Sequence, residues 1–131
     1  MFSYIVDLDL GHAMKIYNNI MPGDKFTTLD LNILCLARSF FNSGNKLFMT
    51  NNQIGEYLIA SHSTVQVSIN RLCAAGFLIS ESFYTNNTKR RNLIYQPDVV
   101  QKFISDMHEE MRNIFGKTEI RSEVRPKSGL L

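Results

Sequence analysis

The sequence predicts a mainly α fold carrying one small β-hairpin, an α+β arrangement in which a further helix follows the hairpin. Capping patterns stand ahead of apolar runs at Thr27 with Asp30 and at Thr50 with Gln53, where a hydroxyl and a side chain three residues on exchange hydrogen bonds with the first-turn amides. Apolar residues recur at helical spacing at Val65, Ile69 and Leu72 and again from Val100 onward, the period of a helix with one buried face. Two runs rich in β-favouring residues, 77–84 and 92–95, flank the polar segment Thr85-Asn86-Asn87-Thr88, which is a hairpin signal.

With 131 residues, 44% hydrophobic and 20% charged, the chain is sized for one domain with its own core. Residues 1–116 are expected to form that domain, with an N-terminal extension and a C-terminal helix, and residues 117–131 a flexible polar tail without periodicity. The opening MFSYIVDLDL lacks a basic segment and carries Asp7 and Asp9 where a signal peptide needs an apolar run. The longest apolar stretch, residues 33–37, is far short of the roughly 20 residues of a membrane-spanning helix. A cytoplasmic protein without membrane contact is therefore expected. Cys35 and Cys73 stand singly in apolar segments and read as small core residues. His12, His62 and His108 have no companions at metal-ligand spacing. No nucleophile and base are paired in a recognisable motif, so neither cofactor, metal nor enzymatic activity is expected.

Taken in order, residues 3–10 alternate weakly as a strand would, and a short helix near residues 12–20 is stopped by Pro22 and Gly23. The Thr27 and Asp30 pair opens a helix over residues 29–41 that is apolar on nearly all sides and belongs at the centre of the core, with Gly44 as its stop. Thr50 and Gln53 open a shorter helix with Ile54, Tyr57 and Leu58 apolar. Ser61 or Ser63 caps the next helix, which turns Val65, Ile69 and Leu72 inward beside the small Ser68 and ends at Gly76. Gly55 lets the two short helices approach closely. Pro97 and Asp98 start the last helix.

The run MTNNQIGEYLIASHSTVQVSINRLCAAGFLI resembles winged helix-turn-helix DNA-binding proteins almost position for position. The likeness covers about residues 27–96, and its marks are the Ser63-Thr64-Val65 opening and the ending in Leu72, Gly76 and Phe77-Leu78-Ile79. Ile59 stands where that family usually has glycine in the turn. The long early helix and Lys89-Arg90-Arg91 resemble replication or regulatory proteins of phages and plasmids. The resemblance implies sequence-specific binding of double-stranded DNA by a transcriptional regulator of a mobile element or bacterial genome. A replication initiator or origin-binding protein, or a protein-interaction module that binds no DNA, stands as the alternative.

The net charge of +2 is small, but residues 62–96 hold Arg71, Lys89, Arg90 and Arg91 against the single acid Glu81. With Val65, Ile69 and Leu72 inward, Ser63, Gln66, Val67 and Asn70 project outward as candidates for base readout. Gln66 and Asn70 have the amide chemistry for adenine and Val67 that for a thymine methyl, which suggests an A·T preference; otherwise they are solvated helix residues. Lys89, Arg90 and Arg91 in the returning wing, and Thr50, Ser61 and Thr64 near helix N-termini, are candidates for the DNA backbone. Intervals of 4, 3, 4 and 3 between Val100, Ile104, Met107, Met111 and Ile114 match a seam for a homodimer.

Overall fold

The computed structural model describes residues 4–124, with side chains as far as Phe115. Its elements run α1 (Leu8–Ile20), α2 (Thr28–Asn42), α3 (Asn51–Leu58), α4 (His62–Ala74), β1 (Leu78–Thr85), β2 (Thr88–Tyr95) and α5 (Pro97–Val124). No helix among the described residues is long and apolar enough to cross a membrane.

The alternation read as an N-terminal strand gives way to helix. Residues 4–7 have no regular structure, and Asp7 caps α1 by accepting the Leu10 amide at 3.1 Å. A carboxylate at the cap and Asp9 in the first turn both favour the positive end of the helix dipole, which outweighs a weak period of two. Ser3, the first residue of the expected strand, lies outside the described residues.

α2 forms the centre of the core, with Ile33, Leu34, Cys35, Leu36 and Ala37 all buried. Both capping boxes form: Asp30 N–H donates to Thr27 Oγ1 and Gln53 N–H to Thr50 Oγ1, each at 3.1 Å, with the reciprocal bonds present. Ser61, rather than Ser63, caps α4 by accepting the Thr64 amide at 3.2 Å. Val65, Ser68, Ile69 and Leu72 are buried, the inward register that their spacing predicts.

α3 ends on Ile59 at φ 58 and ψ 62, in the left-handed region. Its side chain is 92% exposed, so no packing offsets a conformation that costs a branched L-residue about 1–2 kcal/mol. Ile59→Gly should therefore raise stability by about 0.5–1 kcal/mol, after the greater freedom of glycine in the unfolded chain is subtracted. Thermal unfolding checks this, and a lowered midpoint would contradict it.

The hairpin pairs Leu78 with Tyr95 through to Thr85 with Thr88. Its two-residue turn has Asn86 at φ 52 and Asn87 at φ 64, the twin left-handed residues of a type I′ turn. β2 begins at Thr88, earlier than the strand expected from residue 92, so Lys89, Arg90 and Arg91 belong to a strand and not to a turn. Only Leu78 of β1 is buried; the hairpin projects from the body as a wing. Leu47 adds an antiparallel bridge to Leu93 at its root.

α5 packs on α1 and corrects the seam read from its sequence. Val100 and Ile104 are buried in the chain's own core, and Met107 packs against that core, because the ring of Phe103 meets Tyr17 of α1 at 5.9 Å and the helix lies down on its own domain. Val100 and Ile104 are therefore not available as a dimer seam. The helix also continues to Val124, past the expected boundary at Gly116. One interior glycine costs a helix about 1 kcal/mol, and no proline follows Pro97 before Pro126. Residues 125–131 of the expected tail lie outside the described residues.

Candidate nucleic-acid interface

α3 and α4 cross through a tight turn. A Cβ on Gly55 would stand 2.4 Å from the Ala60 carbonyl oxygen and 3.6 Å from Val65 Cγ2, so glycine is needed here to let the turn backbone, as well as α4, come close. The Ala60 amide donates to Gly55 O at 2.8 Å and closes that turn. α4 is thereby held with its outer face toward solvent: Ser63, Gln66, Val67 and Asn70 are all exposed.

Beneath α4 lies a buried ionic knot. Asp30, wholly buried, accepts the Thr27 amide at 2.9 Å and the Ser68 hydroxyl, while Arg71 Nη1 lies 2.9 Å from both of its carboxylate oxygens. The cap of α2 is thus welded to the inner face of α4. Asp30 was visible in the sequence only as a capping residue; Ser68 and Arg71, three apart on one side of α4, were the available sign that a polar partner lay beneath.

Between α4, the start of α3 and the wing lies an open cleft of about 830 Å³, whose lining includes Asn51, Gln66, Asn70, Lys89, Arg90 and Arg91. Lys89 and Arg90 are exposed, whereas Arg91 is half-buried and donates to Asn51 Oδ1 at 2.5 Å and to the Met49 carbonyl at 2.8 Å. Burial lowers its pKa from the usual arginine value. Arg91 therefore braces the wing root against α3, and Lys89 and Arg90 are the freer cations. Two other charges of this region are paired: Asp30 holds Arg71, and Lys46 meets Glu81 at 3.1 Å, where its hydrogen bond lowers the Glu81 pKa. Among the described residues of 62–96 that leaves Lys89, Arg90 and Arg91, at the cleft, as cations without an ion pair.

Asn51, which the sequence reading missed, is the joint of this region. Its Nδ2 donates to Gln66 Oε1 at 2.5 Å, and Gln66 Nε2 donates to Asn70 Oδ1 at 2.8 Å. Thr50, Ser61 and Thr64 are exposed at the starts of α3 and α4; Thr50 and Ser61 serve as caps, and the Ser61 and Thr64 hydroxyls are 2.7 Å apart. Cys73 also lines the cleft, where burial raises its pKa and keeps the thiol protonated at neutral pH.

No protein-family model and no curated protein sequence matches the chain. Solved structures do. A possible transcriptional regulator from Methanosarcina mazei Go1 matches with a TM-score of 0.57 at 18% identity, over 86% of this chain and 87% of that one. Transcriptional regulator Tm0710 from Thermotoga maritima matches with a TM-score of 0.48 at 17% identity, over 89% and 78% of the two chains. Lactococcus lactis ZitR, in complex with DNA, matches with a TM-score of 0.44 at 21% identity, over 88% and 81%. Together with the crossed α3 and α4 and the hairpin that follows them, the first of these likenesses shows that this chain has the winged helix-turn-helix fold.

Proposed function

We propose that the protein binds double-stranded DNA as a transcriptional regulator, laying α4 in the major groove and the wing along the adjoining backbone. The observation that carries this reading is the exposed polar face of α4 beside the uncompensated cations of β2, across one open cleft. A B-form major groove accepts a single α-helix, whose first turns reach base edges. Ser63, Gln66, Val67 and Asn70 then meet the bases. Lys89 and Arg90, with the hydroxyls of Thr50, Ser61 and Thr64, meet phosphates.

The test is duplex binding by fluorescence anisotropy across a salt series. Each neutralised phosphate adds about 0.9 to the slope of log affinity against log salt. Lys89→Ala with Arg90→Ala should weaken binding to every duplex and flatten that slope by about 1.8. Arg91 is left intact because its loss would also loosen the wing root. An unchanged slope in the folded double variant, or no duplex binding by the parent at low salt, would refute the reading.

A further inference from the structure

Arg91, Asn51, Gln66 and Asn70 form one continuous chain of hydrogen bonds from the root of the wing to the outer face of α4. An arginine side chain can only donate, whereas each carboxamide has an accepting end and a donating end. The direction of the whole chain is therefore fixed at Arg91. Its guanidinium needs the carbonyl of Asn51, which leaves the Asn51 NH2 to face Gln66. Gln66 must answer with its own carbonyl and pass its NH2 to Asn70, whose carbonyl accepts in turn. Asn51 is itself nearly buried, at 8% exposure, so reversing it would set two donors against each other where water cannot easily relieve them.

The chain ends on the NH2 of Asn70, for which the described residues offer no partner. The free end of the chain on α4 is thus a pair of donors, with the Asn70 carbonyl already accepting from Gln66. Adenine recognition by asparagine uses the carbonyl and the NH2 together, because the adenine edge shows one donor and one acceptor. Guanine shows two acceptors, O6 and N7.

We infer that Asn70 is a specificity-determining residue that selects guanine, and that Arg91 and Asn51 are positioning residues that set the polarity of its amide through Gln66. This rests on the DNA-binding reading above and reverses the adenine preference that residue types alone suggest. It also gives the half-buried arginine of the wing a part in base choice without any contact to a base.

The experiment is selection of bound sequences from random duplexes by the parent, by Asn70→Ala and by Asn51→Asp, with thermal unfolding to confirm folded protein. An aspartate at position 51 only accepts. It would take one bond from Arg91 and a second from the Gln66 NH2, turning Gln66 and then Asn70 end for end. The parent should prefer guanine at one position by about tenfold or more, and Asn70→Ala should erase that preference. Asn51→Asp should move it to a base that shows a donor, adenine or cytosine, an outcome that merely damaging the site would not produce. Adenine at the Asn70-dependent position of the parent, a parent-like profile for Asn70→Ala, or retained guanine in folded Asn51→Asp would each overturn the inference. If Asn51→Asp does not fold, the parent and Asn70→Ala profiles still decide it. Absence of duplex binding removes the functional reading together with the inference, and is distinct from binding with the wrong base preference.

Discussion

Asp30→Ala should lower stability by about 3–5 kcal/mol, the range for removing one partner of a buried ion pair. The carboxylate is fully buried and accepts from three groups on two elements: the Thr27 amide, the Ser68 hydroxyl and the Arg71 guanidinium. Truncation strands the last two donors. Arg71 is the worse case, since its Nε is already buried without a hydrogen-bond partner and the charge would then lack its counter-ion. Its side chain is 24% exposed, so partial hydration places the expected loss toward the lower end. Urea unfolding of the single variant and of Asp30→Ala with Arg71→Met separates the causes. If the stranded charge dominates, the double variant recovers much of the loss, because an apolar replacement of both partners is often nearly neutral. A single-variant loss below about 1 kcal/mol, the worth of a surface pair, would show that the knot does not tie α2 to α4.

The features legible in the sequence are those whose partners are close along the chain. Thr27 reaches Asp30 and Thr50 reaches Gln53 across three residues, so the capping boxes announce themselves, and Val65, Ile69 and Leu72 give the face of α4 by period alone. The site has a different origin. Arg71 meets Asp30 across 41 positions and Arg91 meets Asn51 across 40, and no local pattern marks such pairs. Residue type therefore placed Arg91 with the free cations of the wing and left Gln66 and Asn70 with unconstrained amides. Periodicity fails in another way at α5. The 4-3-4-3 spacing is real, but a stripe of that kind fits a partner helix and the chain's own α1 equally well until Val100 and Ile104 are seen in the core. The end of α5 shows the limit of punctuation: Gly116 lowers helix propensity without supplying the capping geometry that would stop the helix.

Phe77→Ala should also cost about 3–5 kcal/mol, and here the whole loss comes from packing. Phe77 is 2% exposed and sits at the junction of three elements. Its amide donates to Leu72 O in α4 and its carbonyl accepts from the Gln96 amide just before α5, both at 3.0 Å. Its ring stacks on Phe26 at 5.7 Å and meets Phe103 of α5 edge-on at 5.0 Å, while Tyr17 of α1 lies 5.0 Å from Phe26. Aromatic pairs of this kind add about 0.5–1.5 kcal/mol beyond the area they bury, and alanine would remove two of them and leave a void where the wing joins the body. The backbone bonds of residue 77 do not depend on its side chain, so the variant should keep its helical circular dichroism while its urea midpoint falls. Tyr84→Ala is the control on the same hairpin. Tyr84 is 72% exposed, and its loss should stay within about 0.5 kcal/mol. A cost for Phe77→Ala below about 1 kcal/mol would mean that Phe26 and Phe103 close over the gap, so that the wing is held by its backbone bonds to Leu72 and Gln96 and not by the aromatic cluster.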